Sequence, residues 1–153
     1  MANVGYSAVC NADVALTAAT KEGIIGIRAA SSSGMVLIEF SISFDGVTAN
    51  AEPVVVSLDE WDASTAGTSS SITPTQIRGQ DITHGLTAAR DFTSTQPTVL
   101  TTIKEFLVHP QTGMALQLPL GREPEAIESQ GWLISGTAPA TVNARGYVEV
   151  ERT

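Results

Sequence analysis

His84 and His109 are the two imidazoles of the chain, and so its two candidates for a general base near neutral pH. A nucleophile triad needs such a base oriented by a carboxylate. Neither histidine has a Gly-x-Ser-x-Gly companion, and His109-Pro110 falls at an expected strand end beside a turn. Asp59, Glu60 and Asp62 around Trp61 make the densest acidic cluster, and hard oxygen donors of this kind bind calcium. The run lacks the alternating ligands and turn glycine of a calcium loop, so a solvated charged loop is the plainer reading. Glycoside hydrolysis needs two carboxylates across a sugar, and no pattern singles out such a pair. Gly23-x-x-Gly26 is too short to cradle a phosphate, and a zinc site needs more Cys and His than the chain has. The sequence thus predicts no enzyme, no metal and no cofactor.

Trp61 and Trp132 could stack on sugars, but packing in a strand or an interface is the commoner use of such rings. Cys10 is the single cysteine, which excludes an internal disulfide and leaves a small buried thiol as the expectation. The formal net charge of −8 argues against a nucleic-acid partner and against anionic membranes. No stretch reaches the ~20 apolar residues of a membrane-spanning helix. The N-terminus has no basic region, so no signal peptide is expected. The chain reads as made in a reducing cytoplasm.

The elements that would carry any site are strands. Val36, Ile38, Phe40, Ile42 and Phe44 occupy every second position, with Glu39, Ser41 and Ser43 between them. Side chains alternate faces along a strand, so the five apolar groups are predicted to share one core face. Asp45-Gly46 then supplies a turn. Further strands are expected over Gly23 to Ala30, Pro53 to Leu58, Thr73 to Gly79, Thr98 to His109, Met114 to Leu120, Gly131 to Ala138 and Thr141 to Glu151. Thr98 to His109 carries apolar groups on both faces, which points to a buried strand or a subunit contact. Trp61 to Ser71 reads as a loop, and Gln80 to Gln96 as a helical turn or a long excursion. The 153 residues suffice for one domain that buries roughly 70% of its unfolded surface. The expected fold is all-β, an antiparallel two-sheet sandwich of jelly-roll type with about eight or nine strands. Residues 16–153 make the domain, and residues 1–15 an N-terminal arm or first strand. An immunoglobulin-like sandwich is the alternative.

Several stretches together carry a resemblance. They are Leu16-Thr17-Ala18-Ala19-Thr20-Lys21, Glu39-Phe40-x-Ile42-Ser43-Phe44-Asp45-Gly46, Pro53-Val54-Val55-Val56, Pro97-Thr98-Val99-Leu100, His109-Pro110 and Val142 to Glu149. The most distinctive is Pro119-Leu120-Gly121-Arg122-Glu123-Pro124. Over most of its length the chain resembles the head decoration, or cement, proteins of tailed bacteriophages and prophages. The resemblance implies a non-enzymatic virion protein, often a homotrimer, seated on the major capsid protein at the outside of the head. The acidic balance agrees with the outer side, since the inner side meets packaged phosphate. A carbohydrate- or receptor-binding module of a phage tail or fibre is the alternative. The candidate interface residues are Asn3, Tyr6, Trp61, Arg122, Glu123 and Trp132, with Met1 to Asn11 as a flexible arm that lies along a partner.

Overall fold

The computed structural model describes residues 4–48, 51–61, 67–80, 83–92, 95–97 and 99–153. In chain order the strands are β1 Val4–Val9, β2 Val14–Leu16, β3 Lys21–Arg28, β4 Met35–Phe44, β5 Val54–Trp61, β6 Ser70–Ile72 and β7 Thr75–Arg78. They continue with β8 Thr87–Arg90, β9 Val99–Val108, β10 Gly113–Gln117, β11 Glu125–Ala126, β12 Gly131–Thr137 and β13 Val142–Arg152. One sheet runs β10-β4-β13-β1-β7, with β11 on β4 and β2 on β13; the other runs β6-β8-β3-β12-β5-β9. Two antiparallel sheets packed together are what the sequence pattern demands. The strands outnumber the expected eight or nine because short edge pieces such as β2, β6 and β11 carry too few residues to show a period.

Two of the chain crossings between the sheets occur at prolines. Pro74 separates β6 from β7, and Pro110 separates β9 from β10, each pair lying on edges of different sheets. A residue without an N–H suits a point where no ladder partner exists.

Between the sheets lies the main core. Tyr6, Ala8, Leu16, Ile27, Phe40, Ile42, Val56, Leu58, Ile134 and Val148 are all fully buried there. β13 behaves as its alternation predicts, with Val142, Ala144, Val148 and Val150 inward. β4 does not. Phe40 and Ile42 face the core as expected and Phe44 packs partly against it, but Met35 and Leu37 are buried where Val36 and Ile38 were predicted. The register explains this correction. Glu149 pairs with Glu39 and the next residue, Val150, with Leu37, so Ile38 is an inserted residue. Such a bulge flips the phase of everything before it.

Three other expectations change. Of the two readings for residues 1–15, Val4–Val9 takes that of a first strand and is no flexible arm: β1 is paired to β13 on one side and to β7 on the other. β5 runs on through Trp61, where a loop was expected to begin. The uncertain stretch from Gln80 forms strand β8, pairing with β3 and β6, with Ala88 turned to the core. Tertiary pairing overrides the weak helical preference of its alanines.

A second, smaller cluster sits on the far face of the β3 sheet. Trp61, Phe92 and Leu133 pack there, the two rings edge to face with centroids 5.4 Å apart. Two glycines of β3 make room for these rings. A Cβ on Gly23 would lie 2.7 Å from the Phe92 ring, and one on Gly26 2.7 Å from the Trp61 ring. Bare backbone lets both rings lie against the sheet. The Arg28 guanidinium stands 5.4 Å from the Trp61 ring centre, within cation–π reach.

Candidate functional site

The histidines serve local turns. His84 Nδ1 accepts the backbone N–H of Leu86 (2.9 Å), with its ring against Tyr6. His109 Nδ1 accepts the N–H of Gln111 (3.2 Å) while the His109 carbonyl accepts from Thr112. Cys10 is buried, and burial raises its thiol pKa, so the group stays protonated.

The acidic cluster resolves differently from a chelating loop. Asp62 lies outside the described residues, and Asp59 and Glu60 alternate along β5, so they point to opposite faces. Asp59 is fully buried and forms the most elaborate polar site among the described residues. Its Oδ1 accepts from Lys21 Nζ (2.9 Å) and Thr102 Oγ1 (2.6 Å); its Oδ2 accepts from Ser135 Oγ (2.7 Å) and Ser57 Oγ (3.3 Å). Lys21 also donates to Thr102 Oγ1 (3.2 Å). These groups come from β3, β12, β5 and β9, four neighbouring strands. A carboxylate offers about four lone-pair sites, and here each has a donor. The network is a clamp across the sheet, with no acceptor left over for a substrate. Asp59→Ala is expected to cost roughly 1–3 kcal/mol, because two buried serines lose their acceptor. Urea denaturation measures it, and an unchanged midpoint would show the clamp to be dispensable.

The outer face of the β4 sheet is rich in carboxylates. Glu39 and Glu149 are directly opposite each other, an unfavourable pairing of like charges. The Tyr147 hydroxyl donates to Glu39, and this bond pushes the phenol up to about 12. Arg78 pairs with Glu151 and Arg145 with Asp13 on the same sheet.

The predicted interface residues divide sharply. Asn3 lies outside the described residues. Tyr6 is completely buried, and Trp61 and Trp132 are each 3% exposed. These three are packing side chains of the folded chain, which corrects their assignment as contact residues. The two tryptophans also supply no sugar-stacking platform. Arg122 is exposed and Glu123 half-buried, both in the Pro119 to Pro124 turn.

That turn is locked by its own backbone. The Arg122 N–H donates to the Pro119 carbonyl (2.9 Å), and Gly121 has φ +80° at the third position, the type II geometry that favours glycine. Glu123 Oε2 accepts the Gly121 N–H (2.5 Å), so its carboxylate caps the turn. Both ends are tied to β4 around the bulge: the Leu118 N–H donates to the Ile38 carbonyl and the Leu37 N–H to the Pro124 carbonyl. Leu118 is buried as an anchor, while Leu120 at the tip is 96% exposed. Nothing about Leu120 was singled out by sequence; a lone leucine in a polar turn gives no periodic signal.

β9 forms an edge of its sheet, with Leu107 72% and Ile103 41% exposed on its outer side. Edge strands invite further pairing. A bulge at Ile103 and the charge of Lys104 blunt part of this edge. The chain matches no family model, no curated protein and no solved structure.

Proposed function

We propose that this protein decorates the outside of a tailed-phage head, binding the major capsid protein as a homotrimer and stiffening the shell without any cofactor. The observation that carries the reading is the Pro119 to Pro124 turn. The most distinctive text of the resemblance is a rigid, backbone-locked projection whose apolar tip, Leu120, is spread into solvent. An ordered knob loses little conformational entropy on docking, and an apolar tip gains by burial. Arg122 beside it is a residue type enriched in interfaces. The net charge of −8 suits a position away from packaged phosphate. Leu107 and Ile103 on the β9 edge are the apolar groups that self-association would cover.

Leu120→Asp is expected to weaken attachment to capsids about tenfold, the effect of ~1.4 kcal/mol, with the fold intact. Co-sedimentation with capsids measures it. Wild-type binding by this variant would remove the turn from the contact. Phage heads that resist heat equally well with and without the protein would refute the cementing role itself.

A further inference from the structure

One end of the sandwich carries a cleft of about 520 Å³ between the loops that follow β4, β9 and β12. Its size falls in the range of small-ligand sites. Val47, Pro110, Pro139, Ala140 and Val142 give it apolar walls, and Asp45 and Glu52 are its two charged groups. No cationic side chain lines it among the described residues.

The walls are held by backbone links. The Gly46 N–H donates to the Pro110 carbonyl (2.8 Å), and a Cβ at Gly46 would stand 2.6 Å from that same oxygen. Asp45 and Asn143 clasp each other: the Asn143 backbone N–H reaches Asp45 Oδ1 (2.9 Å) and its Nδ2 reaches Oδ2 (2.7 Å). The Asp45 N–H returns a bond to the Asn143 carbonyl (3.2 Å). These hydrogen bonds, the side-chain one foremost, hold the Asp45 carboxyl below its ordinary range. It therefore stays charged well into mild acid.

We infer that this cleft receives a lysine side chain presented by a partner protein, its aliphatic stem along the apolar walls and its ammonium between Asp45 and Glu52. The charge balance calls for a cation and the walls for an alkyl chain. Lysine fits better than arginine for a geometric reason. Asn143 already approaches Asp45 with two parallel N–H groups, one to each oxygen, which is the approach a guanidinium fork would use. What remains on each oxygen suits a compact point charge. The inference concerns the isolated chain and does not depend on the decoration role.

The test is amide NMR of the full chain titrated with Nα-acetyl-lysine N-methylamide. Saturable shifts are expected at Gly46, Val47, Ala140 and Val142, diminishing as salt is added. The Nε-acetylated probe, which keeps the stem and loses the charge, is expected to bind about fivefold more weakly, as an ion pair near water allows. Glu52→Gln and Asp45→Asn are each expected to weaken the lysine probe. Glu52 is exposed and outside the strands, so its variant keeps the readout even where Asp45→Asn disturbs the Asn143 clasp. Absence of saturable shifts at these amides would overturn the site. Equal binding of the acetylated probe would reduce it to an apolar cleft, and tighter binding of the arginine analogue would refute the lysine assignment.

Discussion

A chain lacking Met1 to Asn11 is expected not to fold. β1 is an interior strand, hydrogen-bonded to β13 along six residue pairs and to β7 on its other side. Tyr6 and Ala8 are fully buried, and Val4 and Cys10 nearly so. Losing one large buried ring alone costs about 3–5 kcal/mol, against a total stability of about 5–15 kcal/mol for a domain. The truncation also strips a ladder from β13, the strand around which that sheet is built, and leaves β7 without its neighbour. Circular dichroism and urea denaturation of the truncated chain measure the effect. A cooperative transition near that of the full chain would mean that β1 is replaceable and that an arm-like role is open to it. The milder Tyr6→Ala variant separates the ring from the ladder, since it keeps every β1 backbone bond.

The strand character of this segment was present in the sequence. Val4, Tyr6 and Ala8 alternate with Gly5, Ser7 and Val9, and the inward set is the apolar one. The pattern is faint because Ala8 is small and Val9 on the outer face is apolar too. β13, with four apolar residues on one face and charged, amide or phenol groups on the other, reads without ambiguity for the opposite reason. Tyr6, Trp61 and Trp132 show a different limit. Large aromatic side chains are equally at home in cores and interfaces, and only the register of β1, β5 and β12 decides which they serve. The Asp59 clamp was invisible because its donors, Lys21, Ser57, Thr102 and Ser135, come together from four strands. Nothing in their spacing marks them. The turn from Pro119 to Pro124 lies between these cases: Pro and Gly announce a rigid turn, while the exposure of Leu120 follows from how β4 tethers it.

Leu37→Ala and Ile38→Ala are neighbouring, chemically similar truncations expected to differ several-fold in cost. Period-two alternation through Phe40 and Ile42 places Ile38 in the core and Leu37 outside. The bulge reverses the order: Leu37 is fully buried, and Ile38 is half-buried on the outer face beside Gln117 and Leu118. Leu37→Ala is therefore expected to cost about 2–5 kcal/mol, with a cavity left among well-packed neighbours. Ile38→Ala is expected to cost about 1 kcal/mol or less, as for a side chain that solvent already reaches. Urea midpoints at constant slope make the comparison clean. The bulge also has a consequence for the site. At this point β4 stops pairing with β10 and starts pairing with β11, and the chain between those two strands is the turn that carries Leu120. An inserted residue in β4 thus both flips the core face and frees the edge from which the turn projects. A reversed ranking of the two variants would mean that β4 runs through Ile38 in regular register. The tethering of the Pro119 to Pro124 projection would then fall with the bulge, and with it the structural basis for placing Leu120 in a capsid contact.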